Sequence, residues 1–535
     1  MYWWALALLG LVRLSYFRLP PFADETYILA NLEHFVTNRT IIPVNFYYPP
    51  LIGYLAVPAG GIVALIGGLL SGLGPTEWAI LDSAAGARVF VLGPRAVVLG
   101  LALCTIAILW RMAPRRGGAA AGLLAVVVYG FSPHAVRYAA YVMPDVGLML
   151  GVAGATWMAL RYLESPSRRQ MIAAGAFIGL AAAFKYNGAL CCLAVMAAAA
   201  LGAGEPRRRF ADLVVAALVS IAVFLVLAPS WVLTPAASYA GLKEVSRIVA
   251  TTAPGSHVVP VVGTFGVLVK TDPGFAAAFL MGLIALALRR TRRLAVLMIV
   301  PVVNFAMVSR WELQHGNYFF PAMAGVSACV PEALRALKDS AAPGMKWVLA
   351  LAAVLFLRLQ YTDPLPLGAL NVDRMSAWLA ENLPPDADVV RAGLYTPKIW
   401  DTKAVEEFRS GRGARLSEEG KARFEKWLAT QPRAARSIGL MSVYSARGEE
   451  SLASQFPSGR WLITIEGTTQ VPFWSDSKDP HWSEWERDMR VFYTSILAEE
   501  DGWRIAMRIG APWDSPQYAI QREAPNSFVP APPVP

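Results

Sequence analysis

Asp24 and Glu25 stand side by side in the stretch Phe22-Ala23-Asp24-Glu25-Thr26-Tyr27, which follows almost directly on an apolar N-terminal run. Carboxylates set against the hydrophobic grain either exchange protons in a reaction or serve the backbone. Asp is a good helix N-cap, and Glu suits the first turn of a helix over residues 26 to 36. Asp145 presents the same choice, since it opens an apolar helix directly after Met143-Pro144. Asn187, Glu244, Asp272, Glu312, His315, Asn317 and Tyr318 are polar residues between apolar runs, a place where most residues are ordinary loop positions. No Walker A loop, zinc-type spacing or nucleophile-elbow motif is present.

The elements that must position these groups need lipid as their solvent. The chain has 535 residues, of which 56% are hydrophobic and only 16% charged, and its mean hydropathy is +0.43. The formal charge of +10 does not indicate nucleic acid, because the arginines lie in short clusters between apolar runs and not along one amphipathic face. Cys104, Cys191, Cys192 and Cys329 all fall within apolar runs, so the polar C-terminal part has no disulfide framework. A spanning helix needs roughly 20 mainly apolar residues, somewhat fewer where neighbours bury it. The N-terminal run, residues 1 to 17, lacks a basic leader and cleavage site and is expected as a retained first helix. Further spans are expected near residues 89–110, 119–132, 145–160, 171–185, 188–203, 211–229, 274–288, 294–309, 318–333 and 347–361.

Basic clusters occupy every second connection: Arg111/Arg115/Arg116, Arg161/Arg168/Arg169, Arg207/Arg208/Arg209, Arg289/Arg290/Arg292/Arg293 and Arg335/Lys338/Lys346. Positive charge marks the cytoplasmic side. The intervening connections, including the first loop 18–88 and everything after residue 361, are then expected outside. The apolar run 51–73 breaks this alternation if it crosses fully. Its six glycines and Pro58 suit a helix that lies at the interface or dips in and out of the bilayer. The expected fold is therefore an α-helical polytopic membrane protein, with about eleven spanning helices plus one interfacial or re-entrant helix. The expected domains are a membrane domain over 1–361, a small soluble α/β domain over 362–524 and a proline-rich tail over 525–535.

The first loop also carries Pro43-Val44-Asn45-Phe46-Tyr47-Tyr48-Pro49-Pro50-Leu51. With Asp24-Glu25, this segment resembles the polyprenyl-phosphate-sugar-dependent GT-C glycosyltransferases, the class of the protein O-mannosyltransferases and the lipid A aminoarabinose transferases. In that family an Asp-Glu follows the first helix, a proline comes some twenty residues later, and Pro-Pro-Leu opens a juxtamembrane helix. The resemblance continues through Ser132-Pro133-His134-Ala135-Val136-Arg137-Tyr138 with Met143-Pro144-Asp145, through Gly179-Leu180 to Lys185-Tyr186, and through Asn317-Tyr318-Phe319-Phe320-Pro321. It covers most of residues 1–330. Two positions depart from it: Tyr48 stands where His or Lys often precedes Pro-Pro-Leu, and Asn317 where Arg often precedes the Tyr.

The resemblance implies an inverting transfer of a sugar from a polyprenyl-phosphate donor to a hydroxyl acceptor on the outer face of a bacterial-type cytoplasmic membrane. The acceptor would be a lipid-linked glycan, an envelope polysaccharide or a protein. Phosphate is a good leaving group, so one base suffices and no second carboxylic acid is needed. That base is placed on Asp24, with Glu25 as neighbour, helper or metal contact. No metal ligand set is assigned, and a divalent cation enters only as a helper beside the pair. The leaving phosphate is expected to meet Lys185, Arg137, Arg88 or Arg95; guanidinium groups can grip it with two bonds, and lysine acts as a point charge. The plainer reading of these cations is snorkelling or lipid-headgroup contact. Substrate contacts are expected at Asp145, Tyr48, Tyr186, His315, Asn317 and Tyr318. The rival class is a lipid or glycolipid transporter or flippase, which also shows many helices and a few intramembrane charges. Against it stand the absence of two related halves in the sequence and the concentration of charge in the first outer loop.

Overall fold

The computed structural model of the chain describes residues 23–46, 48–84, 89–114, 118–251, 261–310, 316–340, 367–384, 386–392, 399–439, 460–465, 503–509 and 517–522. Nine of the eleven expected spans fall on helices, and the other two, 1–17 and 347–361, lie outside the described residues. In chain order the helices that concern the site are α1 (Ala23–Asn38), α2 (Leu51–Ser71), α3 (Pro75–Ala84), α4 (Leu92–Met112), α5 (Gly118–Phe131), α6 (Pro133–Tyr138), α7 (Pro144–Glu164) and α8 (Arg168–Phe184). They are followed by α9 (Cys192–Leu201), α10 (Pro206–Leu227), α11 (Pro273–Arg289), α12 (Arg292–Val308) and α13 (Phe320–Ser340). Four of them, α2, α4, α7 and α10, are long and apolar enough to cross a membrane by length and composition.

The run expected at the interface is one unbroken 21-residue helix, α2, which passes through Pro58 without ending. A hairpin that dips into the bilayer and returns is not the form it takes. Its length and composition are those of a helix able to cross a membrane.

The chain divides into two compact units. The first contains residues 24–61 and 91–363. At its centre is α7, with 72% of its apolar window buried, whereas the corresponding figure for α10 is 11%. α10 therefore presents most of its apolar surface outward, as a helix solvated by lipid can. Small residues set the spacing inside this bundle. A methyl added at Gly151 of α7 would fall 2.6 Å from the Cβ of Ala181 on α8, and one at Gly175 of α8 would fall 2.3 Å from the carbonyl oxygen of Ala216 on α10. Helices in lipid associate through such close backbone approaches because there is no hydrophobic drive between them. Arg293, counted among the basic loop residues, sits at the start of α12 and ties it to the ends of α4 and α7 and to the body of α13. It lies 2.7 Å from Glu164 and 3.1 Å from Glu332, and its guanidinium also donates to the carbonyl of Met112.

The second unit contains residues 62–90 together with 364–535, so a part of the first loop sorts with the C-terminal residues. Its sheet has the order β4-β1-β5-β7-β6, built from β1 (Asp388–Ala392), β4 (Arg436–Gly439), β5 (Arg460–Ile465), β6 (Trp503–Ile509) and β7 (Gln517–Arg522). β1 runs parallel to β4 and β5, and β7 is antiparallel to β5 and β6. One core lies around Met375, Leu379, Leu383, Val389 and Ile399. A second, more aromatic one holds Trp400, Phe408, Phe424 and Leu428, with Ala84 from the first loop packed among them.

Candidate active site

The site is built at the ends of several helices of the first unit. α1 begins at Ala23, so the backbone places Asp24 inside the first turn and not at the N-cap position. The side chain of Asp24 lies outside the described residues, as do those of Arg137 and Asn317 and the whole of Arg88 and His315.

Glu25, one residue on, is fully buried. One carboxylate oxygen is 2.8 Å from Nη2 of Arg95, and the other accepts from Nε of the same arginine at 3.1 Å and from the backbone N–H of Val142 at 2.8 Å. Arg95 is likewise fully buried, and its guanidinium lies 5.2 Å from the centre of the Tyr141 ring. Glu25, expected as a neighbour of the base, and Arg95, expected at the phosphate, are thus held to each other in a bidentate ion pair. Such a pair lacking one partner is costly, because a lone buried charge in an apolar bundle has neither water nor a counterion. Its effect is to fix α1 against the start of α4 and the turn before α7.

The segment after α1 is held by Asn31. Its Oδ1 accepts from the backbone N–H groups of Val44 and Asn45 at 3.0 and 2.8 Å, and its Nδ2 donates to the Asn45 carbonyl at 2.9 Å. One side-chain amide thus satisfies a turn that has no secondary structure to do so. Val44 and Asn45 are thereby held to α1, and Tyr48 lies next to Lys185.

Lys185 ends α8 in extended backbone, φ −156° and ψ 132°. The turn that follows, Tyr186–Cys191, passes so close to α8 that a methyl on Gly188 would fall 2.5 Å from the Ala181 carbonyl oxygen. The Lys185 ammonium lies 2.8 Å from Oδ1 of Asp145, 5.5 Å from the centre of the Tyr48 ring and 5.8 Å from that of Tyr318. Both distances are within cation–π range. Four residues singled out from separate stretches of sequence therefore meet. Asp145 is not an N-cap: that position belongs to Met143, with Pro144 following. The second oxygen of Asp145, Oδ2, is buried and has no hydrogen-bond partner among the described residues. Lys185 keeps 12% of its side chain exposed, so the cation is the accessible member of the pair. Tyr186 meets Trp231 edge to face at 5.9 Å. Among the described residues no cluster of three metal-ligating side chains occurs.

Residues 84–233, which include Arg95, Asp145 and Lys185, match the family model described as dolichyl-phosphate-mannose-protein mannosyltransferase. Among solved structures, ArnT from Cupriavidus metallidurans bound to undecaprenyl phosphate aligns with a TM-score of 0.50 at 14% identity, over 97% of each chain. This is the GT-C glycosyltransferase fold. The apo form of the same ArnT aligns at 0.46 and 15% identity, again over 97% of each chain. Archaeal AglB from Archaeoglobus fulgidus, an oligosaccharyltransferase in complex with an inhibitory peptide and a dolichol-phosphate, aligns at 0.46 and 12%, over 97% of this chain and 74% of its own. No curated protein sequence matches the chain.

Against the motif pattern of the family it resembles, the first loop carries one departure. Tyr48 occupies the position before Pro-Pro-Leu where His or Lys is frequent, and the cation lying against its ring is Lys185 from α8. Sequence reading found Lys185, Asp145, Tyr48 and Tyr318 through their motifs. It missed that Glu25 and Arg95, 70 residues apart, are partners, and it missed Asn31 altogether. A lone Asn on a helix carries no sequence signal for the turn it satisfies.

Proposed function

We propose that this GT-C chain is an inverting glycosyltransferase that moves a sugar from a polyprenyl-phosphate donor to a hydroxyl acceptor at the outer face of a bacterial-type cytoplasmic membrane. The observation that carries the reading is the meeting of Lys185, Asp145, Tyr48 and Tyr318, with an exposed edge of cation and an unpartnered carboxylate oxygen. A lysine between two ring faces is a point charge suited to an oxyanion, and an unpartnered buried carboxylate oxygen is suited to accepting a hydrogen bond from a sugar hydroxyl. The donor class is supported by ArnT, a protein of this fold solved with undecaprenyl phosphate.

In the proposed reaction Asp24 removes the proton from the acceptor hydroxyl. The acceptor oxygen bonds to the anomeric carbon as the bond from that carbon to the phosphate oxygen breaks, and polyprenyl phosphate leaves with the electron pair. Lys185 holds the phosphate and stabilises the charge that grows on it. Arg137 and Arg88 are proposed to assist at the same phosphate, and His315, Asn317 and Tyr186 to line the substrate side. The acceptor is a lipid-linked glycan, an envelope polysaccharide or a protein, and the C-terminal residues help to hold it.

The test is turnover by purified protein with a panel of labelled polyprenyl-phosphate sugars, comparing the native chain with Asp24→Asn. A general base is worth about 10² to 10⁴ in rate, so turnover should collapse while donor binding survives. Full activity of Asp24→Asn removes the base assignment. Donor binding without transfer to any acceptor, together with movement of the intact lipid across vesicles, would instead establish the transporter reading.

A further inference from the structure

Helix α3, Pro75–Ala84, belongs to the first loop in sequence and to the C-terminal unit in space. Two of its faces are occupied. On one, the Trp78 ring lies against Gly67 of α2, so closely that a methyl there would fall 2.2 Å from the indole. The connection between α2 and α3 is correspondingly tight: Gly72 takes the left-handed φ of +71°, and a methyl on Gly68 would meet the Leu73 carbonyl oxygen and the Pro75 nitrogen at 3.0 Å. On the other face, Ile80, Leu81 and Ala84 pack into the aromatic core of Trp400, Phe408, Phe424 and Trp427. That core joins helix α14 (Thr402–Ser410) to helix α15 (Glu418–Leu428).

Glu77 completes the contact. Its carboxylate accepts the backbone N–H of Ser417 at the entrance to α15 and the N–H of Gly74 in the α2–α3 turn. Ser417 is the N-cap of α15, with its hydroxyl accepting from Gly420 N–H at 3.2 Å. A single side chain thus bonds both to the turn leaving α2 and to the start of a helix 340 residues away. At the far end of α3, Asp82 accepts from the backbone N–H groups of Val89 and Phe90 at 3.2 and 2.7 Å, which fixes the outgoing chain.

We infer that α3 is the seat of helices α14 and α15 within the second unit: it completes their aromatic core and fastens that core to the end of α2, residues 62–71, which belongs to the same unit. This goes beyond the proposed reaction and does not depend on it. α2 is the helix opened by Pro49-Pro50-Leu51, directly after Tyr48.

Hydrogen–deuterium exchange on the full chain in nanodiscs tests this without donor or acceptor. Leu81→Ala should speed exchange of the peptides covering 402–428 several-fold, and Leu81→Asp with Ala84→Arg by tenfold or more, with α7 unchanged. Gly67→Ala, which forces Trp78 off α2, should loosen 75–84 and, through it, 402–428. Unchanged protection of 402–428 in both Leu81 variants would overturn the seat. Loosening of 75–84 in Gly67→Ala with 402–428 unaffected would overturn the fastening to α2. Should the double variant lose protection in α7 as well, Leu81→Ala and Gly67→Ala decide the matter.

Discussion

Two acidic residues of the first unit are buried to the same degree and paired with a cation, yet they are finished differently. Glu25 spends both oxygens on Arg95 and Val142, and Arg95 has no exposed surface. Asp145 spends one oxygen on Lys185 and leaves the other without a hydrogen bond among the described residues, while Lys185 keeps an open edge. A satisfied buried pair holds elements in place and has no capacity left for a ligand. A half-satisfied one bears a cost of desolvation that a ligand can relieve. Charge and burial alone rank the two alike; the count of unmet hydrogen bonds is what leads us to propose the first pair as scaffold and the second as site.

The comparison breaks most readily at Arg95. Arg95→Ala leaves Glu25 buried and unpaired, and breaking such a pair costs about 3 to 5 kcal/mol, enough to prevent recovery of folded protein. Replacing both partners with apolar residues of similar volume, Glu25→Leu with Arg95→Met, should restore much of that stability. Thermal unfolding in detergent is the measurement. A folded and fully stable Arg95→Ala would show that the pair is not scaffold.

Lys185→Ala also leaves a buried carboxylate, Asp145, unpaired and should lower stability, and unlike Arg95→Ala it should weaken donor binding in the protein that still folds. Loss of one charged hydrogen-bonding partner costs about 1.5 to 3 kcal/mol, which is roughly tenfold or more in donor affinity. The compensating double variant, Lys185→Met with Asp145→Leu, should regain stability but not donor binding. Recovery of binding in that double variant would make this pair scaffold too.

Far less of the second pair was hidden from the sequence than of the first. Lys185, Asp145, Tyr48 and Tyr318 sit in short recognisable segments, so their types and neighbours marked them. Glu25 and Arg95 lie 70 residues apart, and nothing local distinguishes a paired arginine from one turned to a headgroup. Asp145 was legible as important and ambiguous in role, because an Asp beside a Pro at a helix start also fits a cap. The apolar helices were legible from their length in residues. α3 was not, because its ten residues are mixed in character and its packing partners are hundreds of residues downstream.

The smallest expected effect concerns Glu77. Hydrogen bonds from Ser417, and more weakly from Gly74, hold its carboxyl below the usual carboxylate range. A depressed folded-state pKa means that the contribution is complete above the ordinary carboxylate pKa and is lost as pH falls through the lowered value. Nearby Glu418 and Glu419 are paired with Lys421 and Arg423. Protection of 402–428 should therefore fall at acid pH in the native chain and lose part of that dependence in Glu77→Gln. An identical pH profile in the two proteins would remove Glu77 from the contact.

The position of α3 also bears on how the chain is made. Its apolar face is synthesised some 340 residues before the helix it packs against. At roughly 5 to 20 residues per second, that gap is on the order of half a minute. During that interval Ile80, Leu81 and Ala84 have none of their native cover from the C-terminal helices, and closing so long a loop is entropically slow. The nascent protein thus carries a temporary sticky surface, and helices translated long afterwards are the ones that hide it.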